Sequence, residues 1–131
     1  MHCVAMVMQK QPLTIYFSLV NPADASAALA VPRVLLPVGA FVKVEIRSKD
    51  QVVFATHQPK FSPKLRPDQP EAYLALDPGH GHGVVLELEG VALSRGDYTI
   101  HLVYSNLQYR GFTGHDLGEQ RGEINVSYHV D

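Results

Sequence analysis

Apolar and polar residues alternate with a period of two along most of this chain. Leu13, Ile15, Phe17 and Leu19 alternate with Thr14, Tyr16 and Ser18, the signature of a strand with one buried face. Asn21-Pro22-Ala23-Asp24 then predicts a turn, because Asn and Asp side chains bond to their own backbone and Pro fixes its φ. Val42, Val44 and Ile46 alternate with Lys43, Glu45 and Arg47, and Ser48-Lys49-Asp50-Gln51 returns the chain into Val52-Val53-Phe54 as a hairpin. Tyr73-Leu74-Ala75-Leu76 predicts a short strand, Asp77-Pro78-Gly79 a turn, and residues 84–89 a strand with Leu86 and Leu88 opposite Glu87 and Glu89. Residues 98–104 and 124–130 give two more, paired with each other across a long connection, 106–122. The apolar stretch Met1-His2-Cys3-Val4-Ala5-Met6-Val7-Met8 reads as a strand as well.

Two stretches break the pattern. Residues 25–36 combine alanines that suit a helical turn with Val31, Val34, Leu35 and Leu36, which suit a strand interrupted by Pro32; we read them as an irregular edge strand whose proline protects it from pairing with other chains. Residues 57–72 carry Pro59, Pro63, Pro67 and Pro70 with Lys60, Lys64 and Arg66, so they cannot donate a regular ladder of hydrogen bonds and predict loop or extended edge. About seven or eight short strands, with turns between them and no amphipathic helix, predict an all-β sandwich.

Leu93-Ser94-Arg95-Gly96-Asp97-Tyr98 sharpens that prediction. A leucine, then Gly and Tyr three and five positions on, lets the chain turn at Gly96 and places the Tyr98 ring where its hydroxyl can bond back to the turn. The pattern resembles the tyrosine corner of Greek-key, immunoglobulin-like sandwiches, with Leu93, Gly96 and Tyr98 as its structural residues. Together with the strand ending in Asn21-Pro22, the hairpin at Ser48-Lys49-Asp50-Gln51 and the turn Leu76-Asp77-Pro78-Gly79, it resembles the bacterial immunoglobulin-like domain of the intracellular proteinase-inhibitor type. That family has a leucine-x-proline-glycine turn before one strand and a leucine-proline-proline-glycine-x-tyrosine corner before another. The resemblance covers most of residues 13–104 and implies a Greek-key sandwich that acts by binding a protein. The chain departs from the family pattern in having no Trp and in carrying the Pro-rich insertion 57–72.

At 131 residues and 46% hydrophobic content, the chain is long enough to bury one core and too short for two typical domains, so residues 1–131 are read as a single domain. A formal charge of −2 with dispersed basic residues supplies no field for nucleic acid or an anionic membrane surface. The lone Cys3 admits no intramolecular disulfide, and the sandwich must hold by packing alone. The N-terminal stretch lacks the basic segment and cleavage site of a secretory signal and is too short to span a bilayer. The expectation is a cytoplasmic protein if the chain is complete, and a periplasmic or extracellular one if a leader was removed.

Candidate chemistry is sparse. In Gly79-His80-Gly81-His82-Gly83, two His at i and i+2 on an extended chain face the same way, so His80 and His82 could hold copper or zinc with a third ligand such as His57, His115 or Asp116. The alternative is a glycine-rich flexible turn before Val84 with both imidazoles solvated, and we assign no metal and no cofactor. Cys3 sits in an apolar stretch, no Gly-x-Ser-x-Gly elbow occurs, and no Gly-rich phosphate loop precedes a helix, so catalysis is not expected. Two irregular segments remain as recognition surfaces. Phe61 and Lys64 lie in 57–72, which its prolines stiffen before any partner arrives. Tyr109, Arg110, Phe112 and His115 lie among the glycines of 106–122, aromatic anchors between flexible hinges; alternatively Tyr109 and Phe112 fold back over a sheet end. The reading is a non-catalytic protein- or peptide-binding sandwich, a proteinase inhibitor if the resemblance extends to activity. The alternatives are a structural or accessory domain that self-associates through a sheet edge, and a metal-binding protein using His80 and His82.

Overall fold

The computed structural model describes residues 1–56, 70–107, 109, 112 and 117–131. Among them the chain is all-β, with nine strands: β1 (His2–Met8), β2 (Leu13–Val20), β3 (Leu29–Pro32), β4 (Val42–Ser48), β5 (Gln51–Ala55), β6 (Tyr73–Leu76), β7 (Gly81–Leu88), β8 (Gly96–Asn106) and β9 (Gln120–Val130). A single 3₁₀ turn, Pro70–Ala72, leads into β6. The strands form three antiparallel sheets, ordered β1-β2-β7, β3-β6 and β5-β4-β8-β9.

The period-two pattern explains how the two larger sheets meet. Leu13, Ile15, Phe17 and Leu19 of β2 and Leu86 and Leu88 of β7 face Val42, Val44 and Ile46 of β4 and Ile100, Leu102 and Tyr104 of β8 in one buried cluster. Both sheets therefore contribute one face to a common core, and burial of these side chains is the main driving force of the fold. The tight turn at Lys49-Asp50 sets Ser48 opposite Gln51, with Lys49 at φ 54°. Pairing then shifts between Ile46 and Arg47, so that Val53 is an extra residue in β5. That bulge explains why Val52 and Val53 are both exposed despite being neighbours on a strand.

Four details differ from the sequence expectations. Residues 25–36 form an edge strand only in part: Leu29–Pro32 is β3, at the edge of a two-stranded sheet with β6, while 33–36 lie outside any strand. The strand expected from Val84 begins at Gly81, with Gly81, His82 and Gly83 paired to Val20, Leu19 and Ser18. The connection 106–122 contracts to 107–119, because Asn106 pairs with Gln120 in the β8–β9 ladder. The expectation of about seven or eight strands becomes nine among the described residues.

The registers place the connections at two opposite ends. Residues 9–12, 49–50 and 89–95 lie at one end, where Gly96 pairs with Val130, Arg47 with Thr99 and Leu13 with Leu88. Residues 21–41, 77–80 and 107–119 lie at the other, where Val20 pairs with Gly81, Val42 with Tyr104 and Asn106 with Gln120. We call these the corner end and the loop end.

Candidate functional site

At the loop end the small β3-β6 sheet is tied to both large sheets. The buried Asn21 donates through Nδ2 to the carbonyls of Ala27 (3.0 Å) and Leu76 (2.9 Å). Its backbone N–H donates to the His80 carbonyl and its own carbonyl accepts from Gly79 N–H. Asn21-Pro22 thus marks more than a turn: through side chain and backbone together, one residue joins the end of β2 to β6 and to both neighbouring connections. Across the sandwich, Tyr104 Oη donates to Gln120 Oε1 (2.5 Å), and Gln120 Nε2 donates to the Ala30 carbonyl (3.0 Å), a buried chain from β8 through β9 to β3. Burial pushes the Tyr104 phenol well above its usual range, the phenols of Tyr73 and Tyr109 add to the rise, and the Asn106 side chain opposes it.

The β8–β9 hairpin continues past its last ladder pair. Tyr109 N–H donates to the Gly118 carbonyl (2.9 Å) and Leu117 N–H to the Tyr109 carbonyl (2.7 Å). Gly118 turns there at φ +85°, a left-handed conformation that a side chain would strain. On this base, Tyr109 and Phe112 meet the buried Tyr73 edge-on, with ring centroids 6.1 and 6.3 Å apart, the T-shaped geometry that aromatic quadrupoles favour. Tyr109 is half-buried, and desolvation raises its phenol pKa, with Tyr73 adding and contacts to the Ala30 backbone and Gln120 opposing.

The same hairpin holds three large apolar side chains in water: Leu107 is 73% exposed, Leu117 54% and Phe112 49%. Val34 and Leu36, in the 21–41 connection, are exposed as well. Among the described residues the buried Tyr73 Oη has no hydrogen-bond partner, although buried polar groups are nearly always paired. Exposed apolar groups on a hydrogen-bonded base, beside one unpaired buried hydroxyl, define the candidate site.

Of the residues expected from sequence, Tyr109 and Phe112 are brought together, on a ring that was not expected, Tyr73. Tyr109 folds back on Tyr73 at a sheet end, as the alternative reading of that loop expected, and about half of Phe112 faces solvent. Arg110, His115, Phe61 and Lys64 fall outside the described residues, as do His57 and Asp116. His82 is not in a flexible turn. It sits in β7, half-buried, with Nε2 at 2.8 Å from the Arg33 carbonyl, so this nitrogen already links β7 to the segment after β3. His80 lies exposed in the turn, its N–H bonded to the Asp77 carbonyl. No group of three or more His, Cys, Asp and Glu side chains suited to a metal occurs among the described residues. Cys3 is half-buried, and burial raises its pKa above the ordinary thiol value, which disfavours the reactive thiolate. At the corner end a small groove of about 200 Å³ between Leu13, Val91, Leu93, Tyr128 and neighbours is below the roughly 300–1,000 Å³ of small-molecule sites, while a broader hollow of about 810 Å³ beside Ser48, Lys49, Arg95 and Asp97 lies within that range.

Leu107 and Leu117 were missed by the sequence reading, though the signal was present: two isolated leucines in a polar, glycine-rich segment have no strand pattern to bury them. Tyr73 could not be found that way, since only the fold brings β6 beneath the β8–β9 hairpin. The chain matches no family model, and no curated protein and no solved structure resembles it significantly.

Proposed function

We propose that this protein is a non-catalytic, immunoglobulin-like binding module that recognises a protein or peptide through its loop end. The observation that carries this reading is the hairpin 107–119, which holds Leu107, Phe112 and Leu117 in solvent above an ordered, hydrogen-bonded base. A fold gains nothing from exposing these groups, whereas a partner that covers them gains about 25 cal/mol for each Å² of apolar surface removed from water. The backbone bonds at the base limit the ordering cost on association. The strand order supports the immunoglobulin-like part. The sheets β1-β2-β7 and β5-β4-β8-β9 correspond to the A-B-E and C′-C-F-G arrangement, and Tyr98, at the start of the F-like strand, then reads as a tyrosine corner. In that frame the loop end is the one used for recognition in immunoglobulin variable domains. Inhibition of a proteinase is the specific form of binding that the sequence resemblance adds.

The test compares the wild type with a variant carrying Leu107→Ser, Phe112→Ser and Leu117→Ser in quantitative affinity capture from the native cell and in an assay of serine and cysteine proteinases. The expected result is that both proteins fold and that only the wild type retains a partner or slows a proteinase. Equal capture and equal inhibition by the two folded proteins would refute recognition by this hairpin.

A further inference from the structure

The outer face of the β5-β4-β8-β9 sheet changes in relief towards the corner end. Glu45, His101 and Asn125 form one cross-strand row of longer polar side chains. In the next row, Arg47-Thr99-Ser127, two side chains are short, and Arg47 is held back by Glu45 at 2.5 Å. The row after that pairs Asp97 with His129. Thr99 and Ser127, neighbours across two strands, therefore lie low between longer groups, and they floor the hollow of about 810 Å³. Ser48 and Lys49 bound it from the β4–β5 turn, His129 from β9, and Arg95 from the residues leading into β8.

The groups around this hollow offer donors in excess of acceptors. Lys49 and Arg95 are exposed cations, and neither side chain has an ion-pair or hydrogen-bond partner among the described residues. The hydroxyls of Ser48, Thr99 and Ser127 are equally uncommitted among those residues. One carboxylate lines the hollow, Asp97, and it is engaged by His129 Nδ1 at 2.6 Å, while His129 Nε2 lies 3.1 Å from Asp131 Oδ1. The two acids hold the imidazole protonated to a higher pH than a free histidine, so the charge of Asp97 is offset where it stands.

We propose that this hollow binds a small phosphate monoester, its phosphoryl group held by Lys49 and Arg95 over the Thr99 and Ser127 hydroxyls, with Asp97 accepting from a hydroxyl of the organic part. A planar guanidinium fork, an ammonium and neutral hydroxyl donors together match a tetrahedral dianion with three free oxygens better than a flat, singly charged carboxylate. The hollow is many times the size of a bare phosphate and falls in the small-molecule range, which selects an ester over the free ion. Every group involved is in contact with water, so each charge interaction is weak and a Kd of about 1 mM is expected. The site lies at the opposite end of the sandwich from the hairpin 107–119 and stands or falls independently of protein recognition there.

Titration of the whole chain with ribose 5-phosphate and with glycerol 3-phosphate, followed by ¹H–¹⁵N NMR, tests the proposal. Saturable shifts are expected at the amides of Lys49, Gly96, Thr99, Ser127 and His129, with none from unphosphorylated ribose and binding of inorganic phosphate weaker by about tenfold. Lys49→Gln combined with Arg95→Gln, both at exposed positions, should weaken binding by about tenfold or more with unchanged circular dichroism. Lys43→Gln, which removes a cation farther along the same face, should leave it intact. Failure of both esters to saturate by about 20 mM would overturn the proposal. So would equal weakening by Lys43→Gln, which would show attraction to diffuse charge, or shifts centred on residues 107–119, which would place the anion at the loop end. Inorganic phosphate binding as tightly as the esters would also overturn it, marking an adventitious ion only.

Discussion

The corner end and the loop end are closed by the same residue types with opposite outcomes. At the corner end Tyr98 is buried and donates to the Ser94 carbonyl at 2.6 Å, the bond that the 93–98 pattern predicts. At the loop end Tyr73 is as deeply buried, yet its hydroxyl has no hydrogen-bond partner among the described residues, and the connection above it exposes Leu107, Phe112 and Leu117. One end is finished within the monomer. The other leaves a buried hydroxyl without a partner among the described residues and apolar groups wet, which is what the proposed recognition rests on.

The largest effect that would break this contrast is at Asn21, whose side chain satisfies two carbonyls within the loop end. Asn21→Ala strands both in a buried setting, and a loss of about 2–4 kcal/mol is expected in urea denaturation. A loss under about 0.5 kcal/mol would show that the β3-β6 cap is held by packing alone.

A matched pair of hydroxyl deletions sharpens the comparison further. Tyr98→Phe should cost about 0.5–1.5 kcal/mol, because a paired hydroxyl is removed and the Ser94 carbonyl loses its donor. Tyr73→Phe should be neutral or stabilising by up to about 1 kcal/mol, because the hydroxyl it removes was buried without a partner. Denaturation of the two variants side by side reads the sign directly, and equal losses would erase the distinction between the ends.

The smallest effect is electrostatic. At the corner end His129 Nδ1 lies 2.6 Å from Asp97 Oδ1, and Nε2 lies 3.1 Å from Asp131 Oδ1. The hydrogen bond to Asp97 raises the His129 pKa above the ordinary imidazole value, Coulombic attraction to both carboxylates adds to it, and desolvation opposes it. A His whose pKa rises on folding stabilises the protein fully below its unfolded value and loses that contribution as pH climbs through the folded one. An NMR titration should therefore place His129 above a free histidine, and Asp97→Asn should bring it down. The accompanying change in stability is expected to be slight, since every group involved is in solvent.

How much of this was legible in the chain varies by feature. Strands β2, β4, β8 and β9 were readable because each turns one face to the core, and a period of two is the only solution that sends Val44 and Ile100 inward while their neighbours reach water. The Lys49-Asp50 turn and the Tyr98 bond were readable because they are local: every participant lies within a few residues. The start of β7 was misread because glycines usually mark turns. Here Gly83 sits in a ladder, where Ser18 occupies the space its side chain would need. Of the candidate site, Tyr109 and Phe112 were legible as aromatic residues stranded among glycines, and Tyr73 was not.

By itself the sequence determined which residues turn inward, where the chain reverses and that the fold is all-β, because these follow from side-chain periodicity and backbone preference over a few positions. Only the tertiary structure decided that β6 lies beneath the β8–β9 hairpin and that Gln120 reaches Ala30 across 90 residues. It also aligned Met6, Tyr16 and Val85 from three strands in one exposed row. Such juxtapositions depend on strand order and register, which are set by how the whole core closes and leave no periodic trace in any one segment.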